Sequence, residues 1–321
     1  MKRRQFMALL GAAATWPLAA RAQQRAVIGF LVAASLDQNR LAAFRRGLAE
    51  QGQSEGPNLT IDPLFADGRY ERLPALVAEF VRRRVSVIFA GGNQAALAVK
   101  AANITTPTVF AIGDDPVRLG LVASLNKPGG NMTGITFYTI ALIGKRLEIL
   151  DALVPQGAAV AMLANPATPS YEAQLAEVRL AGQSLRRRIE YFNTSTPADL
   201  DSAFAAIDER KISGLFYSTD PFFASHRKKL MELAARHRLP AIYSNIENAA
   251  LGGLMAYGAS IPDSYHQAGN YVGRVLKGER PGDLPVTRPT RFELTLNLKT
   301  AKALGITFPP KLLALADAVI E

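Results

Sequence analysis

The residues able to bind or polarise a small molecule gather where short β-branched runs end. Val85-Ser-Val-Ile-Phe-Ala90 gives way to Gly91-Gly92-Asn93-Gln94 and then to Ala95-Ala-Leu97. The glycines release the backbone, Asn93 has an N-cap side chain, and the residues after it favour helix. A strand that turns into a helix this way aims unpaired N–H groups beyond its carboxyl end, where they attract anions. The same phrase recurs at Gly113-Asp-Asp-Pro116, Asn165-Pro166, Ser218-Thr-Asp-Pro221 and Ser244-Asn-Ile-Glu247, and Ser35 and Asp37 close the first such run. Each helix N-terminus favours a negative group by roughly 0.3–1 kcal/mol when exposed. Asp114, Asp115, Asp220 and Glu247 favour a cation on the same ligand. A small molecule carrying both charges, such as an α-amino acid, fits better than a sugar or an inorganic anion.

Each of these residues also has a structural role open to it. Asp115-Pro116 and Asp220-Pro221 match the cap-then-proline start of a helix. Asn93 can cap without touching a ligand, and Asn165-Pro166 reads as an ordinary turn. Asp114 and Glu247 have no obvious local task. Aromatic residues cluster near the elbows: Phe137, Tyr138, Tyr171, Phe222, Phe223, Tyr243 and Tyr257. Most are expected in the core, with one or two able to sandwich an apolar or aromatic group of a ligand.

The elements that must position these residues form a regular beat. Strand starts fall near residues 27, 59, 85 and 107, and again near 158, 188, 212 and 240, with amphipathic segments between them. Leu41, Phe44 and Leu48, for example, recur at helical spacing before Gly52. A helix is expected near 117–125. Length points the same way, because 321 residues exceed what one core usually holds. The expected fold class is α/β, with two copies of one parallel β/α plan and a tail that crosses between the two lobes. Residues 26–135 with 254–281 would form the first lobe, and 136–253 with 282–321 the second.

The amino terminus reads as an export signal. Lys2-Arg3-Arg4 is a basic start, 7–20 is an apolar stretch too short to span a bilayer, and Ala20-Arg21-Ala22 is a small-x-small cleavage site. Arg3-Arg4-Gln5-Phe6-Met7 resembles a twin-arginine signal, with the general secretory route also open. Cleavage after Ala22 would release the chain into the periplasm. Loss of Lys2, Arg3, Arg4 and Arg21 lowers the formal charge from +10 to +6. The remaining basic clusters at 82–84, 186–188 and 227–229 read as solvated helix faces, so nucleic acid is not an expected partner. The absence of cysteine excludes disulfides and thiolate chemistry. No G-x-S-x-G elbow, P-loop, G-x-G-x-x-G or HExxH is present, and His226, His237 and His266 fall on expected helices. Neither an enzyme nor a metal or other cofactor is expected.

Several segments together resemble the substrate-binding proteins of ABC transporters, in their tryptophan/tyrosine-type branch. These are Phe44-Arg-Arg-Gly-Leu48, Gly68-Arg-Tyr-Glu-Arg-Leu-Pro74, Asp115-Pro-Val-Arg-Leu-Gly-Leu-Val122, Pro128-Gly-Gly-Asn131, Asp220-Pro-Phe-Phe223, Leu239-Pro-Ala-Ile-Tyr243 and Gly252-Gly-Leu-Met-Ala-Tyr-Gly258, with Phe292-Glu-Leu and Asn297-Leu-Lys-Thr-Ala near the end. The resemblance implies a type I periplasmic binding protein, two doubly wound parallel-sheet lobes joined by hinge strands, that closes on a small ligand and works with an inner-membrane permease, as a monomer. It further implies that Asn93, Gln94 and Asp114 in the first lobe hold a carboxylate, while Tyr171, Asp220, Asn245 and Glu247 in the second hold an amine. Asn93-Gln94 departs from the Ser/Thr-type residues often found there. With Ser35, Tyr138 and Phe222, these complete the candidate contacts. A ligand-sensing partner of a membrane receptor and a periplasmic enzyme on the same fold are the alternatives.

Overall fold

The computed structural model describes residues 25–289 and 292–321. The export signal expected at 1–22 and Arg291, the first residue of the strand expected at 291–298, lie outside the described residues. Five parallel strands make the first sheet: β1 (Ala26–Val32), β2 (Leu59–Phe65), β3 (Val87–Gly91), β4 (Thr108–Ile112) and β5 (Met132–Thr136), in the order β2-β1-β3-β4-β5. Every residue of β3, β4 and β5 is buried, as expected of parallel strands covered on both faces. Helices Gln38–Glu50 and Ile261–Leu276 cover one face through Phe44, Leu48, Ala268 and Val272. Helices Leu73–Arg83 and Asn93–Ala101 cover the other through Val77, Phe80 and Val99.

The second lobe repeats the plan. Its strands are β6 (Val160–Ala164), β7 (Ile189–Asn193), β8 (Gly214–Tyr217), β9 (Ile242–Tyr243), β10 (Met255–Gly258), β11 (Glu293–Asn297) and β12 (Ala318–Ile320). The runs β7-β6-β8 and β12-β11-β10-β9 are joined by a parallel bridge between Leu215 and Ala241. Among the described strands of this lobe only the β10–β11 pairing is antiparallel. The strand starts match the expected beat in both halves, and the architecture is the expected α/β one. A connector needs only to be long enough to cross a sheet face, which is why the beat survives low similarity between the halves.

Two expectations need correction. The stretch 117–125 is a series of turns, not a helix: Leu119 N–H bonds back to Asp115 and Leu121 N–H to Pro116, with Gly120 between them at a positive φ of 66°. The lobe boundaries also shift. Residues 254–258 were assigned to the first lobe, but β10 bonds to β9 and β11 and belongs to the second. Residues 282–287 were assigned to the second lobe, yet Thr287 N–H bonds to Gly134 and Thr136 N–H to Thr287, tying this strap to β5. Backbone pairing decides both, and pairing partners so distant in sequence leave no local trace. The chain thus passes between lobes after β5, after β10, and between Thr287 and β11.

The helix that returns to the first lobe after β10 docks through glycine. A Cβ on Gly269 would lie 2.0 Å from the Phe44 carbonyl oxygen, and one on Gly47 1.8 Å from that of His266. Gly269→Ala is expected to destabilise the first lobe by about 1–3 kcal/mol. The Tm read by circular dichroism should fall by about 2–10 °C, with helix content retained before the transition.

Candidate ligand-binding site

One cleft lies where the carboxyl ends of the two sheets face each other, which is where open α/β sheets bind ligands. It encloses about 780 Å³ of space counted out to its open mouth. The first lobe contributes Gly91, Gly92, Asn93 and Gln94 from the elbow after β3, and Gly113 from the elbow after β4. The second contributes Thr219 and Asp220 from the elbow after β8, and Ser244, Asn245 and Asn248 from the elbow after β9. Tyr217, Phe137, Phe223 and Tyr265 supply aromatic wall. Gly91 leaves room for one of these, since a Cβ there would stand 2.6 Å from the Tyr265 hydroxyl.

Four of the residues expected from sequence therefore share the cleft: Asn93, Gln94, Asp220 and Asn245. Asn93 is itself the first residue of its helix, whose N-cap is Gly92, so no side chain caps these N–H groups. The Asn93 Oδ1 instead accepts the Gly113 N–H at 3.1 Å and binds two elbows together.

The other six do not line it. Asp114 is buried beside Gly113, where its carboxylate pairs with Arg118 and accepts the Asp115 N–H at 2.7 Å. Glu247 accepts the Ile261 N–H at 3.2 Å and caps the helix that crosses back to the first lobe. Burial raises its pKa, opposed by its own backbone N–H and by Arg40. Tyr171 turns to Asn193, with its hydroxyl 2.8 Å from Oδ1. Phe222 packs in the second-lobe core against Phe223 and His226. Tyr138, held at a positive φ of 47°, lies in the first crossover under Arg288. Ser35 uses its backbone N–H to bond Ser225 Oγ of the opposite lobe at 3.1 Å.

Asp220 does far more than cap. Its Oδ1 accepts the Phe222 N–H at 2.8 Å, as the cap-then-proline pattern requires. The same oxygen takes the Tyr70 hydroxyl at 2.5 Å and Asn165 Nδ2 at 3.0 Å, and Oδ2 takes Gln94 Nε2 at 3.2 Å. Tyr70 and Gln94 belong to the first lobe, so this one carboxylate ties the lobes. Gln94 also reaches Thr168 Oγ1 at 2.9 Å. Burial raises the Asp220 pKa against the pull of these donors. Burial and the adjacent carboxylate push the Tyr70 hydroxyl well above its usual range, so it remains a donor.

At the mouth, Asp37 and Arg227 join the lobes a second time, Arg227 Nη1 lying 3.0 Å from Asp37 Oδ2. Arg40 Nε lies 3.6 Å from the same oxygen, and both arginines line the cleft. Behind Thr219, the buried Arg146 donates to the Thr139 carbonyl and lies over the Phe216 ring. Burial lowers its pKa to about 10, so it stays protonated at neutral pH.

Sequence reasoning missed Tyr70, Thr168, Arg40 and Arg227. Tyr70 lies within a family-like segment, but nothing local links it to a carboxylate 150 residues away. Arg227 was read with its cluster as a solvated face. No group of histidines and acids able to hold a metal occurs among the described residues, nor does any described helix suffice to cross a membrane.

Residues 25–320 match the family model of the ABC transporter substrate binding proteins. The chain belongs to that family. Over 272 residues it is 27% identical to the tyrosine-binding protein of Clostridioides difficile, covering 85% of this chain and 78% of that one. A conserved domain protein of Vibrio cholerae superposes with a TM-score of 0.82 at 25% identity, over 92% of this chain and all of that one. A Streptococcus pneumoniae ABC domain in complex with L-Trp superposes at 0.80 with 24% identity, over 91% of this chain and all of that one. The fold is that of the type I periplasmic binding proteins.

Tyr70→Phe leaves the Asp220 carboxylate one donor short without emptying the space. It should weaken lobe closure by about 1–3 kcal/mol. Solution scattering should then show a larger radius of gyration than the parent, while circular dichroism stays unchanged.

Proposed function

We propose that this protein is the exported solute-capturing component of an ABC importer. It takes a small amphoteric organic solute, an amino acid or an aromatic relative, into the cleft between its lobes. The observation that carries this reading is the shared cleft itself, whose walls come from the carboxyl ends of both sheets and whose lobes already meet through Asp220 and Asp37. A ligand that touches both walls favours the closed arrangement by its differential affinity for the two states, with no covalent step. Uncapped N–H groups at Asn93 suit a carboxylate, and Phe137, Phe223 and Tyr265 suit an apolar or aromatic body. The closed pair of lobes is then the form recognised by a membrane permease. Two similar proteins, one tyrosine-binding and one an ABC domain in complex with L-Trp, support the solute class. The export signal read at 1–22 supports a periplasmic location for the carrier.

Isothermal titration of the refolded, ligand-stripped protein against amino acids, aromatic acids and their derivatives tests the reading. Saturable one-to-one binding with a shrinking radius of gyration is expected for at least one compound. Silence across the whole panel would remove the proposed solute class.

A further inference from the structure

The cleft's donors and acceptors are unequally committed. An ammonium group needs acceptors, at least one of them negative, whereas a carboxylate needs donors. Among the described residues Asp220 is the one acid lining the cleft, and protein donors from both lobes already occupy both its oxygens. Glu247 is turned to Ile261, and Asn93 Oδ1 to Gly113. The cations are less committed, although Arg40 also engages the Tyr265 ring and hydroxyl and interacts with Glu247. Asp37 meets Arg40 at Nε and Arg227 at Nη1 through a single oxygen, and each guanidinium carries five N–H donors. Arg40 comes from the first lobe and Arg227 from the second, so both reach the cavity only when the lobes meet. The side chain of Arg40 is 15% exposed and that of Arg227 33%, which leaves their charges less screened than on an open surface.

We infer that Arg40 and Arg227 form a two-lobe clamp for a carboxylate, and that the ligand is an organic acid that needs no α-ammonium group. The inference rests on the importer reading above and shifts its solute from an amphoteric molecule to an acid. Asp37 acts as the spacer that keeps the two like charges together. Closure brings the second guanidinium to the bound anion, so the ligand's charge is coupled to lobe movement. Asp220 serves as the closing contact between the lobes, not as the amine acceptor.

The test compares matched probes on the full mature chain by titration calorimetry. The series are L-tyrosine, 3-(4-hydroxyphenyl)propanoate and tyramine; L-tryptophan and 3-(indol-3-yl)propanoate; and L-leucine and 4-methylpentanoate. In a series that binds, the acid lacking the amine should bind within tenfold of the amino acid or tighter, and tyramine should not bind. Arg40→Gln and Arg227→Gln should each weaken that acid tenfold or more, while Arg188→Gln on the outer face changes nothing. If a variant misfolds by circular dichroism, the salt dependence of parent binding replaces it: affinity should fall as sodium chloride rises. An amino acid preferred more than tenfold over its des-amino partner overturns the inference and leaves the importer reading standing. Unchanged affinity in both arginine variants, or salt-independent binding, overturns it as well. Failure of every probe to bind overturns both.

Discussion

A carboxylate buried between two bodies must be satisfied by both or the bodies separate, and Asp220 is such a group. Its oxygens collect a backbone N–H and an amide from its own lobe, then a phenol and an amide from the other. Desolvating a carboxylate is expensive, and only this number of donors offsets it. The closed arrangement therefore depends on Tyr70 and Gln94 arriving together, since either alone leaves the charge short of partners. The elbow after β8 is rigid because proline at 221 fixes the first residue of the helix that Asp220 caps. A rigid elbow holds the carboxylate where the opposite lobe can reach it.

The same geometry shapes the cavity. Glycines after β3 and β4 bring the first-lobe backbone close to the cleft, and Gly91 makes space for the Tyr265 hydroxyl. The asparagine at 93 locks one elbow to the next instead of capping its own helix, which leaves N–H groups directed at the cavity. Arg40 and Arg227 close the mouth around Asp37. Burial would raise the Asp37 pKa, yet Arg40 and Arg227 hold it below the usual value, so the spacer keeps its charge. Three crossovers join the lobes, and none carries a sheet hydrogen-bond ladder from one lobe to the other among the described residues. The polar bridges in the cleft are thus the contacts by which the two lobes meet there.

Much of the fold was legible because it is periodic. Buried parallel strands require unbroken apolar runs, helices require a 3.6-residue stripe, and elbows require glycine, proline or a capping side chain. These demands act over a few residues, so strand starts could be placed within about two positions and the elbows named. Where a local rule competed with packing, the reading failed. The turns at 117–125 look helical in composition, but the backbone folds back on Asp115 and Pro116 before a full turn can extend.

The amino-acid sequence by itself determined the two-lobed α/β plan, the position of the polar elbows and the chemistry those elbows can offer. Only the tertiary structure decided which side chains face the cavity. Asp114, Tyr171 and Glu247 stand at or beside elbows just as Asp220 does, yet Arg118, Asn193 and Ile261 absorb them. Tyr70, Arg40 and Arg227 carry no local sign of function and are recruited by partners up to 190 residues away. The physical reason is that a backbone motif fixes where a side chain begins. Where it ends depends on which charge or donor the other lobe brings within about 3 Å.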